Sequence, residues 1–343
     1  MDLAYEYLII HFKHMNRRES LWTLGSAFTL LSSATPSTLA KPTGMAMELV
    51  VPFSAGGISS QLAQFLSVEL QRRGHQVTVQ YKPDGTGMIA SEYIERRAST
   101  EVPCVLVGGS SIYVSAPVAN PAFYKEPLKQ YELLTTVARS PQVLIARQDK
   151  LTDLAQLSRV KEKERICSVT GIGADSHLAY QYFKKTVMPL GQPFISGGDS
   201  SSIRRVLAGE VLLATVNLSS CMLFFEKGLS FLASTGAQAL EWPDKKPTPT
   251  FASLRTAHLD KEELVYYGWD VLSAPRSLGP SVIGGLRAAL TDVVQSPAMA
   301  SYRQRYRQQD WSMTDAEFAA FVEKERKKWS EVIQWIGIEE VFD

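Results

Sequence analysis

Leu49-Val50-Val51-Pro52-Phe53-Ser54-Ala55-Gly56-Gly57-Ile58-Ser59-Ser60 is a short valine-rich apolar run that ends at Pro-Phe and opens into small residues with two adjacent glycines. Gln61 to Leu70 then carries apolar residues at helical spacing. The pattern predicts a strand, a glycine loop and a helix. Such a loop can present backbone N–H groups at a helix N-terminus, where the peptide dipoles favour negative charge. The expected ligand is therefore an anion held by main chain.

Two further stretches repeat the pattern. The strand Val77–Tyr81 runs into Lys82-Pro83-Asp84-Gly85-Thr86-Gly87 and a helix Ile89–Arg97. Cys104–Val107 reads as a buried strand ending in Gly108-Gly109-Ser110-Ser111. This βαβαβ order implies a largely parallel sheet with ligand groups at the carboxyl ends of its strands. A crossover near Val137–Ser140 leads to a separate strand, Gln142–Ala146, and a helix Asp153–Lys163. The pattern restarts with the strand Arg165–Val169, the loop Thr170-Gly171-Ile172-Gly173-Ala174-Asp175-Ser176 and a helix from His177. A helix Ile203–Ala208, strands Val211–Asn217 and Leu229–Ser234, and the run Val265–Pro275 precede helices at Pro280–Val294, Ala298–Gln308 and Asp315–Trp335. The expected fold class is α/β with two lobes, each a mostly parallel sheet flanked by helices. Residues 41–140 and 265–343 form lobe one in this reading, and 141–264 form lobe two.

A chain of 343 residues with 45% hydrophobic and 21% charged residues has ordinary globular composition and length for two cores. Its net charge of +1 gives no basic field for nucleic acid or an anionic membrane. Cys104, Cys167 and Cys221 match no metal-ligand spacing and read as buried free thiols, one disulfide being open in an oxidising compartment. No metal or cofactor is expected. Arg17-Arg18 precedes the moderately apolar run Leu21–Leu31, and Thr38-Leu39-Ala40 offers small residues for cleavage. Residues 1–40 are thus read as an export signal, by the general or the twin-arginine route, with 1–14 as a mis-assigned start. Export places the mature chain in the periplasm.

The residues carry a family likeness from about residue 45 to the end. Its landmarks are Val51–Gly57, Lys82-Pro83 with Gly87, Asn120–Tyr124, Ala138–Pro141, Gly171–Leu178, Leu207–Val211, Thr235-Gly236-Ala237, Ala274-Pro275 and Trp329 with Gly337-Ile338. The chain resembles the solute receptors of tripartite tricarboxylate transporters, the Bug-type receptors. The resemblance implies a type II periplasmic binding protein whose glycine loops hold a small organic acid in a cleft between the lobes. Carried over by residue, the lobe-one loop is Phe53, Ala55, Gly56, Gly57, Ser59 and Ser60. The second loop is Gly85, Thr86 and Gly87, and the lobe-two loop is Thr170, Gly171, Gly173 and Ser176. Gly198 falls on a family glycine, and Ser110, Ser111 and Asn217 stand at strand ends facing the same edge. The implied partners are membrane permease subunits or a sensor kinase, and the receptor is expected to be a monomer.

Four departures bear on the ligand. Ser60 replaces an aspartate that can take a ligand amino group, so a plain carboxylic acid is expected to be preferred over its α-amino analogue. Asp84, Thr86 and Met88 make the second loop poorer in glycine. Ser196 stands where the family has a tyrosine, with Phe194 nearby to supply its packing, and Leu212 replaces an acid. A serine hydrolase built on Ser176 and His177, or on Ser110, is the competing reading. It needs a base oriented beside the nucleophile, which adjacent residues at a helix start do not give. Asp175 or Ser176 is read instead as an N-cap. Arg204 and Arg205 are read as solvated charge.

Overall fold

The computed structural model describes residues 44–83, 85–97, 101–119, 121, 126–243, 245–254 and 265–337. The expected export signal 1–40, and Asp84, Asn120, Ala122–Tyr124, His258 and Ile338, lie outside the described residues.

One large sheet organises the chain. In chain order its strands are β1 (Ala46–Val51), β2 (Gln76–Tyr81), β3 (Cys104–Gly109), β4 (Tyr131–Arg147), β5 (Cys167–Val169), β6 (Pro193–Ile195), β7 (Leu213–Asn217) and β8 (Leu229–Ser234). After a two-stranded ribbon of β9 (Leu240–Trp242) and β10 (Lys245–Thr248), β11 (Tyr267–Pro275) and β12 (Gln309–Asp310) rejoin the sheet. The spatial order is β2-β1-β3-β11-β4-β7-β5-β6, with β8 and β12 also paired to β4. In the first half β1, β2 and β3 are mutually parallel, whereas β11 runs against β3 and β4, and β12 runs against β4. In the second half β5, β6 and β7 are parallel and β4 runs against them.

β4 belongs to both halves. Residues 131–141 pair with β11, whereas 142–147 pair with β7 and β8. This corrects the expectation of a crossover at 137–140 and a separate strand at 142–146. A missing N–H usually marks a strand end, yet Pro141 stands inside β4, where the partner strands change.

Helices cover the sheet: α1 (Ile58–Arg72), α2 (Met88–Arg97), α3 (Asp175–Thr186), α4 (Asp199–Ala208), α5 (Pro280–Val294), α6 (Pro297–Arg305) and α7 (Asp315–Ile336). α1 buries Leu62, Leu66 and Leu70 at fourfold spacing against Leu49 and Val51 of β1 and Leu286 and Leu290 of α5. Full burial of each leucine contributes roughly 1.5–3 kcal/mol. α7 starts at a capping box of Thr314 and Glu317 and packs Phe318, Val322, Trp329 and Val332 into the largest core. That core takes residues from both halves, so α7 joins them behind the sheet edge. The expected helix at 153–163 is instead one short turn, Leu154–Ser158, capped by Asp153, and a 3₁₀ turn, Glu162–Glu164.

Cys104, Cys167 and Cys221 are all free and buried. Burial pushes the Cys104 thiol up to about 11 and the Cys167 thiol up to about 12, so neither is a thiolate near neutrality. Among the described residues no helix is long and apolar enough to cross a membrane.

Candidate ligand-binding cleft

The carboxyl ends of β1, β3, β5, β6 and β7 open onto one cleft of about 790 Å³, part of it open to solvent. The start of β11, Gly268–Asp270, and Gln142 of β4 line it as well.

Three helices begin at the cleft without a side-chain cap. Their N-caps are Gly57 for α1, Ala174 for α3 and Gly198 for α4. Gly56 has φ +92°, a conformation that L side chains rarely adopt. Gly57 has an ordinary φ of −84°, so only the first glycine of the pair is demanded by the backbone. α1 has no acidic residue in its first turn, and so no carboxylate of its own to match the dipole there.

The lobe-two loop is occupied internally. The Ser176 hydroxyl accepts from the Thr170 N–H at 2.9 Å and bonds the Thr170 hydroxyl at 2.7 Å. The Gly173 N–H donates to His177 Nδ1 at 3.1 Å, and His177 Nε2 meets the Gln181 amide. His177 is fully buried, and burial lowers its pKa to about 4. Its ring nitrogens are thus committed away from Ser176. Ser110 donates to Asp175 and accepts from the Trp269 N–H, with no histidine in the arrangement.

Of the residues expected in the site, Phe53, Ala55, Gly57, Ser59, Ser60, Ser110, Ser111, Thr170, Ser176, Gly198 and Asn217 line the cleft. Gly56, Gly85, Thr86, Gly87, Gly171 and Gly173 do not. Gly87 and Gly173 are buried, and Gly56 and Thr86 stand where the halves touch. The Gly56 carbonyl accepts from Ser200 at 2.5 Å, and Thr86 donates to the Ile172 carbonyl at 3.3 Å. Ser60 lines the wall, yet its hydroxyl donates to Tyr81 at 3.0 Å. Asn217 is an N-cap, accepting from the Ser219 N–H at 2.9 Å. Asp175 and Ser176 are not N-caps; they are the first residues of α3. Phe194 stacks under the Arg205 guanidinium, and Arg205 pairs with Glu210. Arg204, expected in solvent, is exposed but also lines the cleft mouth.

The sequence reading missed three carboxyl groups in this cleft. Asp175 accepts from Ser110 and, at 2.7 Å, from Ser115. Asp199 accepts from Ser220 at 2.7 Å and the Asn217 N–H at 3.2 Å. Among the described residues the Asp270 carboxyl meets only the Ser59 hydroxyl, at 3.5 Å. Burial raises all three, Asp199 to about 6 and Asp270 to about 7, and repulsion from neighbouring acids adds to the rise at Asp199 and Asp270. Among the described residues they make no metal site. A charged residue inside the apolar run Val265–Pro275 was the available signal for Asp270. The repeat of glycine or alanine followed by aspartate at two helix starts was the signal for Asp175 and Asp199.

The profile of the family described as tripartite tricarboxylate transporter family receptor matches residues 58–338. Protein BugT of Bordetella pertussis is 21% identical over 329 residues, covering 94% of this chain and 99% of that protein. The structure of R. palustris Rpa4515 with adipate superposes with a TM-score of 0.73 at 22% identity, over 86% of this chain and 98% of that one. MatC from Rhodopseudomonas palustris with bound malate gives a TM-score of 0.70 at 17% identity, over 84% and 99%. With a match over most of its length and a two-lobed fold shared with solved receptors, this chain belongs to the tripartite tricarboxylate transporter family receptors, the Bug-type solute-binding proteins.

Proposed function

We propose that this protein is an extracytoplasmic receptor that closes its two lobes over a small organic carboxylate and presents the closed form to membrane permease subunits. The lobes in this reading are 41–140 with 265–343, and 141–264, joined through β4. The observation that carries the proposal is the start of α1. Its N-cap has no side chain, its first turn has no acid, and Ser59 and Ser60 face the cleft. A carboxylate seated there meets N–H dipoles inside a partly closed site, where screening is weak. Gly198 offers a second uncapped helix start from the opposite lobe. The adipate and malate in the two solved relatives fit this chemistry. A hydrolase is disfavoured because Ser176 and Ser110 are each hydrogen-bonded without a histidine. The export signal at 1–40 supplies the periplasmic location in this reading.

The test is a thermal-shift screen of mono-, di- and tricarboxylates including malate and adipate, followed by calorimetry. A true ligand raises the melting temperature with the logarithm of its concentration above Kd. Failure of every acid to stabilise the protein overturns the proposal. Capture of membrane proteins by the liganded form then separates delivery from sensing. Permease subunits support transport, and a sensor kinase replaces it.

A further inference from the structure

An anion seated at the start of α1 enters a cleft that already holds three carboxyl groups. Asp175, Asp199 and Asp270 line it, from α3, α4 and β11. Among the described residues its lining includes one cation, Arg204 at the mouth, and no lysine or histidine. A bound carboxylate is therefore a further like charge in a partly closed space, where repulsion is weakly screened.

Two of the three acids are supported as anions. Asp175 accepts from Ser110 and Ser115, and Asp199 accepts from Ser220 and the Asn217 N–H. Asp270 lacks such support, with the Ser59 hydroxyl at 3.5 Å as its one hydrogen-bond contact among the described residues. Ser59 stands in the first turn of α1, so the poorly supported acid is also the one beside the proposed carboxylate seat. Its cross-strand neighbours, Gly109 of β3 and Ala138 of β4, carry no charge. From α6 comes the Tyr302 phenol, which donates to the Ile58 carbonyl. Arg139 of β4 turns to Gln309 and the Tyr267 ring, and Arg303 of α6 turns to the Val137 carbonyl and Asp310. Burial, with repulsion from Asp175 and Asp199, holds the Asp270 carboxyl up at about 7.

We propose that the protein takes up its organic acid together with one proton from solvent, held on Asp270, which faces the ligand as a neutral acid and donates that proton to an oxygen of the seated carboxylate. The inference rests on the receptor reading above and deepens it. A carboxyl and a carboxylate that share one proton form a charge-assisted hydrogen bond, whereas two ionised carboxylates side by side repel. The sign follows from the free protein. Below about pH 7 the proton is already in place and affinity is level; above that, ligand and proton must arrive together, and affinity falls as pH rises.

The test is calorimetric titration of the full protein with malate and with adipate, whose own carboxyls, with pKa values of roughly 4–5, stay ionised throughout. In Hepes and in Tris at about pH 8, two buffers with different heats of ionisation, the binding heats should differ by an amount equivalent to roughly 0.5–1 proton taken up per ligand. Affinity of the wild type should fall about 5–50-fold between pH 7 and 9, one proton being worth at most about tenfold per pH unit. Asp270→Asn carries the neutral form at every pH. Its affinity should be flat over that range and exceed that of wild type at pH 9 by about fivefold or more. Far-UV circular dichroism and a cooperative melt establish that the variant is folded, and the two-buffer measurement on wild type needs no variant. Equal binding heats in the two buffers with a level wild-type affinity, or an unchanged slope in Asp270→Asn, overturns this inference and leaves the receptor reading standing. Binding of neither these two acids nor any other acid in the thermal-shift screen overturns both.

Discussion

The loop before α1 and the loop before α3 both carry a strand into a helix through glycine, yet their polar groups are committed differently. Before α3, Ser176, Thr170, Gly173 and His177 bond one another, and Asp175 occupies the first turn. Before α1, the cap is a glycine and no acid stands in the first turn. The loop before α3 is finished by the protein itself; the loop before α1 is left for something else to finish. Glycine at a strand-to-helix junction therefore says that an anion site is permitted there, and the neighbouring hydrogen bonds say whether it is used.

The largest effect should come from breaking the self-sufficient loop. His177→Ala removes a fully buried ring and the acceptor of the Gly173 N–H. Its expected cost is about 2–4 kcal/mol of stability by urea unfolding, from the cavity and the orphaned donor together. A change of only a few tenths would show that the loop before α3 does not depend on this ring.

Next, the two glycines before α1 should behave unequally. Gly56→Val forces a β-branched residue to φ +92°. A left-handed conformation costs about 1–2 kcal/mol, so ligand affinity should fall about tenfold or more. Gly57→Ala has an ordinary φ and only the Ser200 hydroxyl at 4.0 Å, and should bind within about threefold of wild type. Equal losses in the two variants would mean that side-chain volume, not backbone conformation, governs this loop.

Closure across the rim should register more weakly. Ser200→Ala deletes the hydroxyl that donates to Gly56 at 2.5 Å. One such bond contributes about 0.5–1.5 kcal/mol, so affinity should weaken about 2–12-fold in calorimetry. Thr86→Val, at a 3.3 Å contact, should weaken it less. The reverse order would place the working latch at the second loop.

Smallest is the pH signature of the acid beside α1. Burial holds Asp270 protonated up to about pH 7, while the unfolded chain releases that proton near pH 4. Stability from this group is therefore present at low pH and lost as pH rises from about 4 to 7. His177, held neutral down to about 4, has the opposite sign. Asp199 shares the sign of Asp270, Asp175 and Arg204 also line the cleft, and Tyr302 lies near Asp270. The difference between wild-type and Asp270→Asn melting profiles isolates the one group. It should narrow by about 1 kcal/mol between pH 5 and 8, solvent in the cleft reducing the full shift. A flat difference would show that Asp270 is already ionised.

The parts of the fold legible in the sequence are those with one strong local signal. Val51–Ser60 and Val169–Ser176 show apolar strand, glycine loop and amphipathic helix in order, and the structure has each. β4 was split because its change of partner strands after residue 141 leaves no local signal in the sequence. α4 was begun at Ile203 because Asp199–Ser202 is polar, although acids and serines belong in a first helical turn. The ribbon of β9 and β10 carried too little alternation to be seen. Within the site, loop residues were found because glycine announces backbone. Gln142 and Asp270 were missed because a polar side chain in a strand gains meaning only from what lies opposite it.

The insertion of β11 between β3 and β4 sets an order in time. Arg147 of β4 meets Leu229, 82 residues further along the chain, whereas Tyr131 of the same strand must wait for Pro275, 144 residues on. Leu106 of β3 waits for Ser273, 167 residues away. Closing the longer loops costs more entropy before any contact rewards it. The second half of the sheet should therefore gather first on refolding, and the wall that carries α1 should be completed last. Pulse-labelled amide exchange would show protection of β7 and β8 preceding that of β3 and β11, and the opposite sequence would refute it. Up to that last step β3 has no partner on its inner side, which makes this half of the binding site the stretch of nascent protein most open to mispairing with another chain.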